Sequence, residues 1–110
     1  DVGCHDKSMV DYNDFADLLV KNISHDTYGI LVCGSGIGMC MAANRFKGIR
    51  AAVCTSSQQA YLARAHNDSN VICLGARLIS QYEAESILQV FLDTQFLEGH
   101  YIKRVQKLDA

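Results

Sequence analysis

Ile30-Leu31-Val32-Cys33-Gly34-Ser35-Gly36-Ile37-Gly38-Met39-Cys40-Met41 decides the fold. The apolar run ending at Cys33 has the continuous character of a buried strand. A loop with glycine at every second position follows, and Gly38 to Phe46 reads as a helix stopped near Gly48. A strand that delivers a thiol to a glycine-rich turn at a helix N-terminus is a chemical arrangement as well as a turn. Backbone N–H groups there can face an anion, and the same positive field favours a thiolate. Three alternating glycines exceed what one tight turn requires, and they strip side chains from a wall that a substrate can then approach closely. The stretch points to an enzyme that handles a developing oxyanion beside Cys33.

Working outward, the pattern alternates. Asn13 or Asp14 can cap a helix to about Asn22, with Phe15, Leu18 and Leu19 on one face. Tyr28 to Cys33 is a strand, and Ile49 to Cys54 is the next. Ser56 or Ser57 caps a helix to about Ala65, and Asn70 to Leu74 is a strand closed by Gly75. Ser80-Gln81-Tyr82-Glu83 is a capping box that starts a helix through Thr94, and a last helix follows Gly99. Strands alternating with helices mean parallel pairing, so the expected fold is α/β, a three-layer, Rossmann-like, doubly wound parallel sheet in one domain over 1–110. Ligands bind beyond the carboxyl ends of such strands, where Cys33, Ser35, Ser56 and Gly75 fall. The chain opens in mid-pattern at Asp1, and Val2-Gly3-Cys4 resembles the end of a strand whose start lies further upstream.

Composition excludes several functions. Ten basic and twelve acidic residues give a net charge of −2 without a basic stripe, so nucleic acid is not an expected partner. No apolar run approaches the roughly 20 residues that cross a bilayer, and no signal peptide is visible. Five cysteines with no C-x-x-C pair argue against a zinc site or a disulfide scaffold and for a reduced, cytoplasmic setting. Cys54 and Cys73, in apolar runs, read as small hydrophobes. The glycine spacing is Gly-x-Gly-x-Gly, not Gly-x-Gly-x-x-Gly, and no acidic residue stands between Asp26 and Asp68. A dinucleotide site is therefore disfavoured, and no Lys-Ser/Thr pair makes the loop a P-loop.

Three further groups stand out, two of them with two readings each. His66-Asn67 ends a helix; it is either a solvated terminus or a proton shuttle with an amide for sugar hydroxyls. Arg104, in the basic stretch His100 to Arg104, is either a solvated cationic tail or a phosphate clamp, which its donor fork suits. Arg77, just after the strand ending at Gly75, could serve the same anion.

With these residues assembled, the chain resembles the type B ribose-5-phosphate isomerases, which share their fold with the bacterial galactose-6-phosphate isomerase subunits. The matching stretches are Asp11-Tyr12, Ile30 to Asn44, Gly48-Ile49-Arg50-Ala51, His66-Asn67-Asp68-x-Asn70-Val71, Gly75-Ala76-Arg77 and Arg104-Val105. The resemblance implies an aldose–ketose isomerase that interconverts ribose 5-phosphate and ribulose 5-phosphate through a cis-enediolate, in the pentose phosphate pathway, with no metal and no cofactor. It implies Cys33 as the base, because Met39 stands where cysteine-lacking members carry a Glu. Ser35 replaces the frequent Thr, and His66 opens the furanose ring. Asn67 is implied as a hydroxyl ligand, the loop Gly34, Gly36, Ile37 and Gly38 as the enediolate holder, and Tyr12 as a further substrate contact. Arg77 and Arg104 are implied as phosphate contacts, with His100 where the family usually has a second arginine. The family also implies an N-terminal βα unit of about 30–40 residues, absent from this sequence, and a homodimer or homotetramer with shared active sites. The alternatives are a galactose- or allose-6-phosphate isomerase, a non-catalytic sugar-phosphate-binding module of the same fold, and a phosphatase or thiol-transfer enzyme using Cys33 as nucleophile. Met39-Cys40 in place of an arginine at the loop's end argues against the last.

Overall fold

The structure, a computed structural model, describes residues 11–110; the strand end expected at Val2-Gly3-Cys4 and the side chain of Tyr12 lie outside the described residues. Eight elements follow in the expected order: α1 (Tyr12–Val20), β1 (Gly29–Cys33), α2 (Ile37–Ala43), β2 (Ala51–Val53), α3 (Ser57–Asn67), β3 (Val71–Gly75), α4 (Gln81–Asp93) and α5 (Tyr101–Leu108). The strands are parallel in the order β1-β3-β2, with Cys33 opposite Gly75 and Val53 opposite Cys73.

Central β3 is buried along its whole length, and its alternation builds two cores. Val71 and Cys73 join Leu31, Ala16, Met39 and Ala43 under α1 and α2. Ile72 and Leu74 join Cys54, Ala60, Ala63, Ile87 and Phe91 under α3 and α4. Helices thus cover both faces, the three layers expected of a doubly wound sheet, and α5 packs on α3. No helix among the described residues is long and apolar enough to cross a membrane.

Element edges differ from the sequence reading where side chains intercept the backbone. Helix α2 stops at Ala43 rather than Phe46, because Asn44 turns its amide onto β2: Asn44 Nδ2 donates to Ala51 O (2.9 Å) and Asn44 Oδ1 accepts from Ala51 N (2.8 Å). Strand β2 is shorter than Ile49 to Cys54, because Asn70 Oδ1 takes Arg50 N (2.8 Å) and Ser69 Oγ donates to Arg50 O (2.7 Å). Helix α3 runs two residues past Ala65 to Asn67, and Asp68 ends it in a left-handed conformation (φ 47°). The capping box of α4 forms as expected, with Ser80 N–H to Glu83 Oε1 at 2.9 Å and Glu83 N–H to Ser80 Oγ at 3.1 Å.

The amino end of the sheet is tied by two arginines, Arg64 and Arg50. Arg64 is buried; it donates to Asp68 Oδ1 (2.9 Å), Ser69 O (2.7 Å) and Thr94 O (3.2 Å) and lies 4.7 Å over the Tyr28 ring. Arg50 donates to Asp68 O (2.8 Å) and pairs with Asp109 (2.8 Å) and more loosely with Asp68 (3.4 Å). Asp68 therefore joins both guanidinium groups. This accounts for Asp68, Ser69 and Asn70 as scaffold and leaves His66 and Asn67 as the members of that stretch available for other work.

Candidate active site

Cys33 closes β1, and the chain folds back over it at once. Gly36, left-handed at φ 80°, directs its N–H at Cys33 Sγ, 3.1 Å away. A Cβ on Gly36 would lie 3.0 Å from Leu74 C and 3.2 Å from Gly75 N, so both its conformation and its surroundings demand glycine. The turn after β3 supports the loop from beneath: Ala76 N–H donates to Cys33 O (2.8 Å) and Arg77 N–H to Gly34 O (3.0 Å). Gly75 is required there, since a Cβ would meet Ser35 O at 2.6 Å. The same turn lays the Arg77 side chain across Gly34, with Nε 3.4 Å from where a Gly34 Cβ would be. Cys33, Ser35, Gly34, Gly36, Ile37, Gly38 and Arg77 are thus gathered at the carboxyl end of the sheet.

The loop amides are not equivalent. Gly36 N–H is committed to Cys33, and Ile37 N–H donates to Ser35 Oγ (3.2 Å), which leaves the Ser35 O–H to turn outward. The first i→i−4 bond of α2 is Cys40 N–H to Gly36 O (3.2 Å). The amides of Gly38 and Met39 therefore precede the helix's own hydrogen bonding, and they are the donors a helix start offers to an anion.

Cys40, one turn along α2, is a second thiol that sequence reading did not single out. The Cys73 thiol hydrogen-bonded to it, helped by the Val53 backbone and Asn44, holds its pKa at about 7 against the opposing effect of burial. In its protonated form it donates to Ala51 O (3.4 Å). Its sulfur faces β2 and not the glycine loop. Cys73 is pushed up, first by that hydrogen bond and then by burial, and burial raises Cys54 to about 11. Both behave as the small hydrophobes expected of them.

His66, Asn67, His100 and Arg104 are elsewhere. Helix α3 leaves the carboxyl end of β2 and runs back about 16 Å over its eleven residues, so His66 and Asn67 reach the amino end of the sheet. Strand β3 separates the two levels by about 13 Å. His66 stacks on Tyr101 (centroids 4.4 Å, 12° between planes), and His100 tilts against the same ring at 4.0 Å. Arg104, exposed, lies one turn beyond His100 on α5. Within one chain the second group does not meet Cys33. A cleft of about 510 Å³ beside β2 includes Asn67 and Asn44 in its lining; it contains neither the loop nor Cys33.

The sequence matches the Ribose/Galactose Isomerase family over residues 1–108. The chain belongs to the ribose/galactose isomerase family. Among its relatives in that family, a probable ribose-5-phosphate isomerase B of Mycoplasma pneumoniae is 46% identical over 102 residues, 91% of this chain and 67% of that protein. The ribose 5-phosphate isomerase B structure from Anaplasma phagocytophilum superposes with a TM-score of 0.94 at 49% identity, over 97% of this chain and 74% of that one. The isomerase B of Mycoplasma genitalium, solved with bound ribulose-5-phosphate, superposes at 0.86 with 41% identity, over 94% and 70%. This isomerase-family chain thus spans about two thirds to three quarters of the length of these relatives.

Proposed function

We propose that the chain is an aldose–ketose isomerase that interconverts ribose 5-phosphate and ribulose 5-phosphate, a step of pentose phosphate metabolism, with Cys33 as the proton-transfer base. The observation that carries this is the 3.1 Å approach of Gly36 N–H to Cys33 Sγ. It seats a proton acceptor among backbone donors at the end of a strand, with Arg77 across the loop. The ribulose-5-phosphate bound by the Mycoplasma genitalium relative supports the choice of substrate.

The chemistry needs a base, a holder for developing oxygen charge and a route from ring to open chain. His66 moves a proton between the ring oxygen and the anomeric hydroxyl to free the aldehyde. Cys33 takes the C2 proton, and the charge that moves onto the carbonyl oxygen meets the Ser35 hydroxyl and the amides of Gly38 and Met39. The C2 hydroxyl proton passes to O1 of the enediolate, and the Cys33 thiol, whose proton exchanges with solvent, reprotonates C1, which gives the ketose with no redox partner and no metal. Asn67 holds sugar hydroxyls. Arg77, Arg104 and His100 hold the phosphate, whose binding orients a reacting centre it does not touch.

Because Cys33 and His66 occupy opposite ends of one sheet, the site is completed by a second copy: the loop and Cys33 come from one chain, and His66, Asn67, His100 and Arg104 from its partner. Mixing two variants tests this. Cys33→Ser and His66→Asn each lose most of their turnover of ribose 5-phosphate alone. After dissociation and reassociation together, about a quarter of the sites regain both groups, since half of the pairs are mixed and each has one intact site. No recovery refutes the shared site. Turnover by the wild-type protein of ribose, allose and galactose phosphates identifies the sugar, and substrate binding without exchange of substrate hydrogen with solvent refutes the isomerase reading.

A further inference from the structure

We infer that Tyr101 is the positioning residue for His66, locking the imidazole and that of His100 onto one aromatic plate. The inference rests on the ring-opening role proposed for His66. Nothing else in the described contacts fixes that ring, which sits half-buried in the last turn of α3. Tyr101 covers it face to face at 4.4 Å and 12°, a geometry that prevents rotation about the Cβ–Cγ bond while leaving the ring nitrogens free at the edge. The phenol face also suits an imidazolium, the form His66 takes each time it carries a proton.

The backbone is shaped to deliver this ring. Leu97 N–H donates to Ala65 O (3.0 Å), which pins the segment after α4 to the end of α3. Glu98 and Gly99 then adopt consecutive left-handed conformations (φ 63° and 56°). A non-glycine residue in that region is uncommon and survives where the surroundings over-determine it. The two residues reverse the chain so that the first residue of α5, Tyr101, returns over His66, and the buried Val105 anchors the helix one turn on. His100 tilts against the same phenol at 4.0 Å. The two imidazoles therefore cannot be further apart than the two stacking distances together, which keeps the ring-opening group and a phosphate-side group in register on one substrate.

The test separates ring opening from proton transfer. Ribulose 5-phosphate is open-chain, so deuterium from solvent enters its C1 position without any ring step, whereas net formation of ribose 5-phosphate requires ring closure. The ratio of exchange to conversion rises in Tyr101→Leu by about three- to tenfold, the range expected for a lost aromatic stack, and stays near the wild-type value in Tyr101→Phe, which keeps the ring. A Phe variant that behaves like Leu assigns the effect to the hydroxyl and overturns the inference, as does an unchanged ratio in Tyr101→Leu where His66→Asn raises it. If His66→Asn leaves the ratio unchanged, the ring-opening role and the inference fall together. The wild-type protein gives an answer that needs no variant: by NMR the His66 ring protons resonate upfield of free histidine under the Tyr101 ring current, and resonances at the free position overturn the stack.

Discussion

Gly75→Ala tests whether the loop over Cys33 is held in place from below. An added Cβ would stand 2.6 Å from Ser35 O and 2.7 Å from Ser35 C, where ordinary contact begins near 3.4 Å. Both contacts are backbone, and Gly75 cannot retreat, because β3 is paired on both sides and Ala76 N–H is bonded to Cys33 O. The loop must therefore lift by about 0.8 Å. Ser35 C=O and Gly36 N–H belong to one rigid peptide unit, so lifting the carbonyl pulls the N–H off Cys33 Sγ and moves the start of α2. Overpacking of this kind costs about 1–3 kcal/mol of stability, and a displacement approaching 1 Å at a reacting group costs about 10²-fold in rate. Denaturant unfolding reads the first, and a coupled assay of ribose 5-phosphate turnover reads the second. Gly48→Ala is the control. Its φ is 84° but its Cβ would meet nothing within 4 Å, so it loses about 1–2 kcal/mol to backbone strain and keeps kcat. A folded Gly75→Ala with kcat within twofold of wild type refutes the reasoning.

Cys33→Ser keeps an acceptor for Gly36 N–H but replaces the base; kcat falls about 10²–10⁴-fold with binding of ribose 5-phosphate, followed by calorimetry, retained. Arg104→Ala raises KM for phosphorylated sugars about tenfold or more, the loss of a charged hydrogen bond being worth about 1.5–3 kcal/mol, and an unchanged KM leaves Arg104 as a solvated cation on α5. Asp68→Ala strips the carboxylate from buried Arg64 and from Arg50, and urea unfolding then reads a loss of about 3–5 kcal/mol; a loss under 1 kcal/mol argues that the carbonyls of Ser69 and Thr94 suffice. Cys40 is held at about 7, so its alkylation by iodoacetamide, mapped by mass spectrometry, rises through pH 7 while Cys54, held at about 11, stays unmodified at pH 8. Because the folded-state value is the depressed one, the stability Cys40 contributes is complete above the unfolded thiol's pKa and is lost as pH falls through about 7; a Cys40 alkylation profile centred near pH 9 contradicts this.

Periodicity and capping chemistry made the fold legible. The apolar run to Cys33 and the Ser80–Glu83 box sit where local rules put them, because each depends on neighbours within one turn or strand. The loop and its thiol were legible for the same reason. The distance between Cys33 and His66 was not: no local pattern encodes it, whereas the run of α3 back along the sheet places the two at opposite ends. Arg64 and Asp68 hid because helical spacing gives no hint that Thr94 and Ser69 offer carbonyls across space. Tyr101 hid because ring stacking joins positions 35 apart with no periodic signature. Cys40 follows the glycine loop closely, yet its acidity comes from Cys73, a residue on another strand.

Asn44 has a consequence for how the protein behaves in a crowded solution. Strand β2 is the border of the three described strands, and a border strand offers its bare N–H and C=O row to any passing chain. Asn44 answers both groups of Ala51 with a single amide, imitating a paired strand. Asn44→Leu removes that imitation and adds grease beside an open ladder. Such a molecule turns over substrate normally when fresh and dilute, yet clouds on standing at high concentration. The amide's service is to colloidal endurance, a property invisible to any kinetic assay.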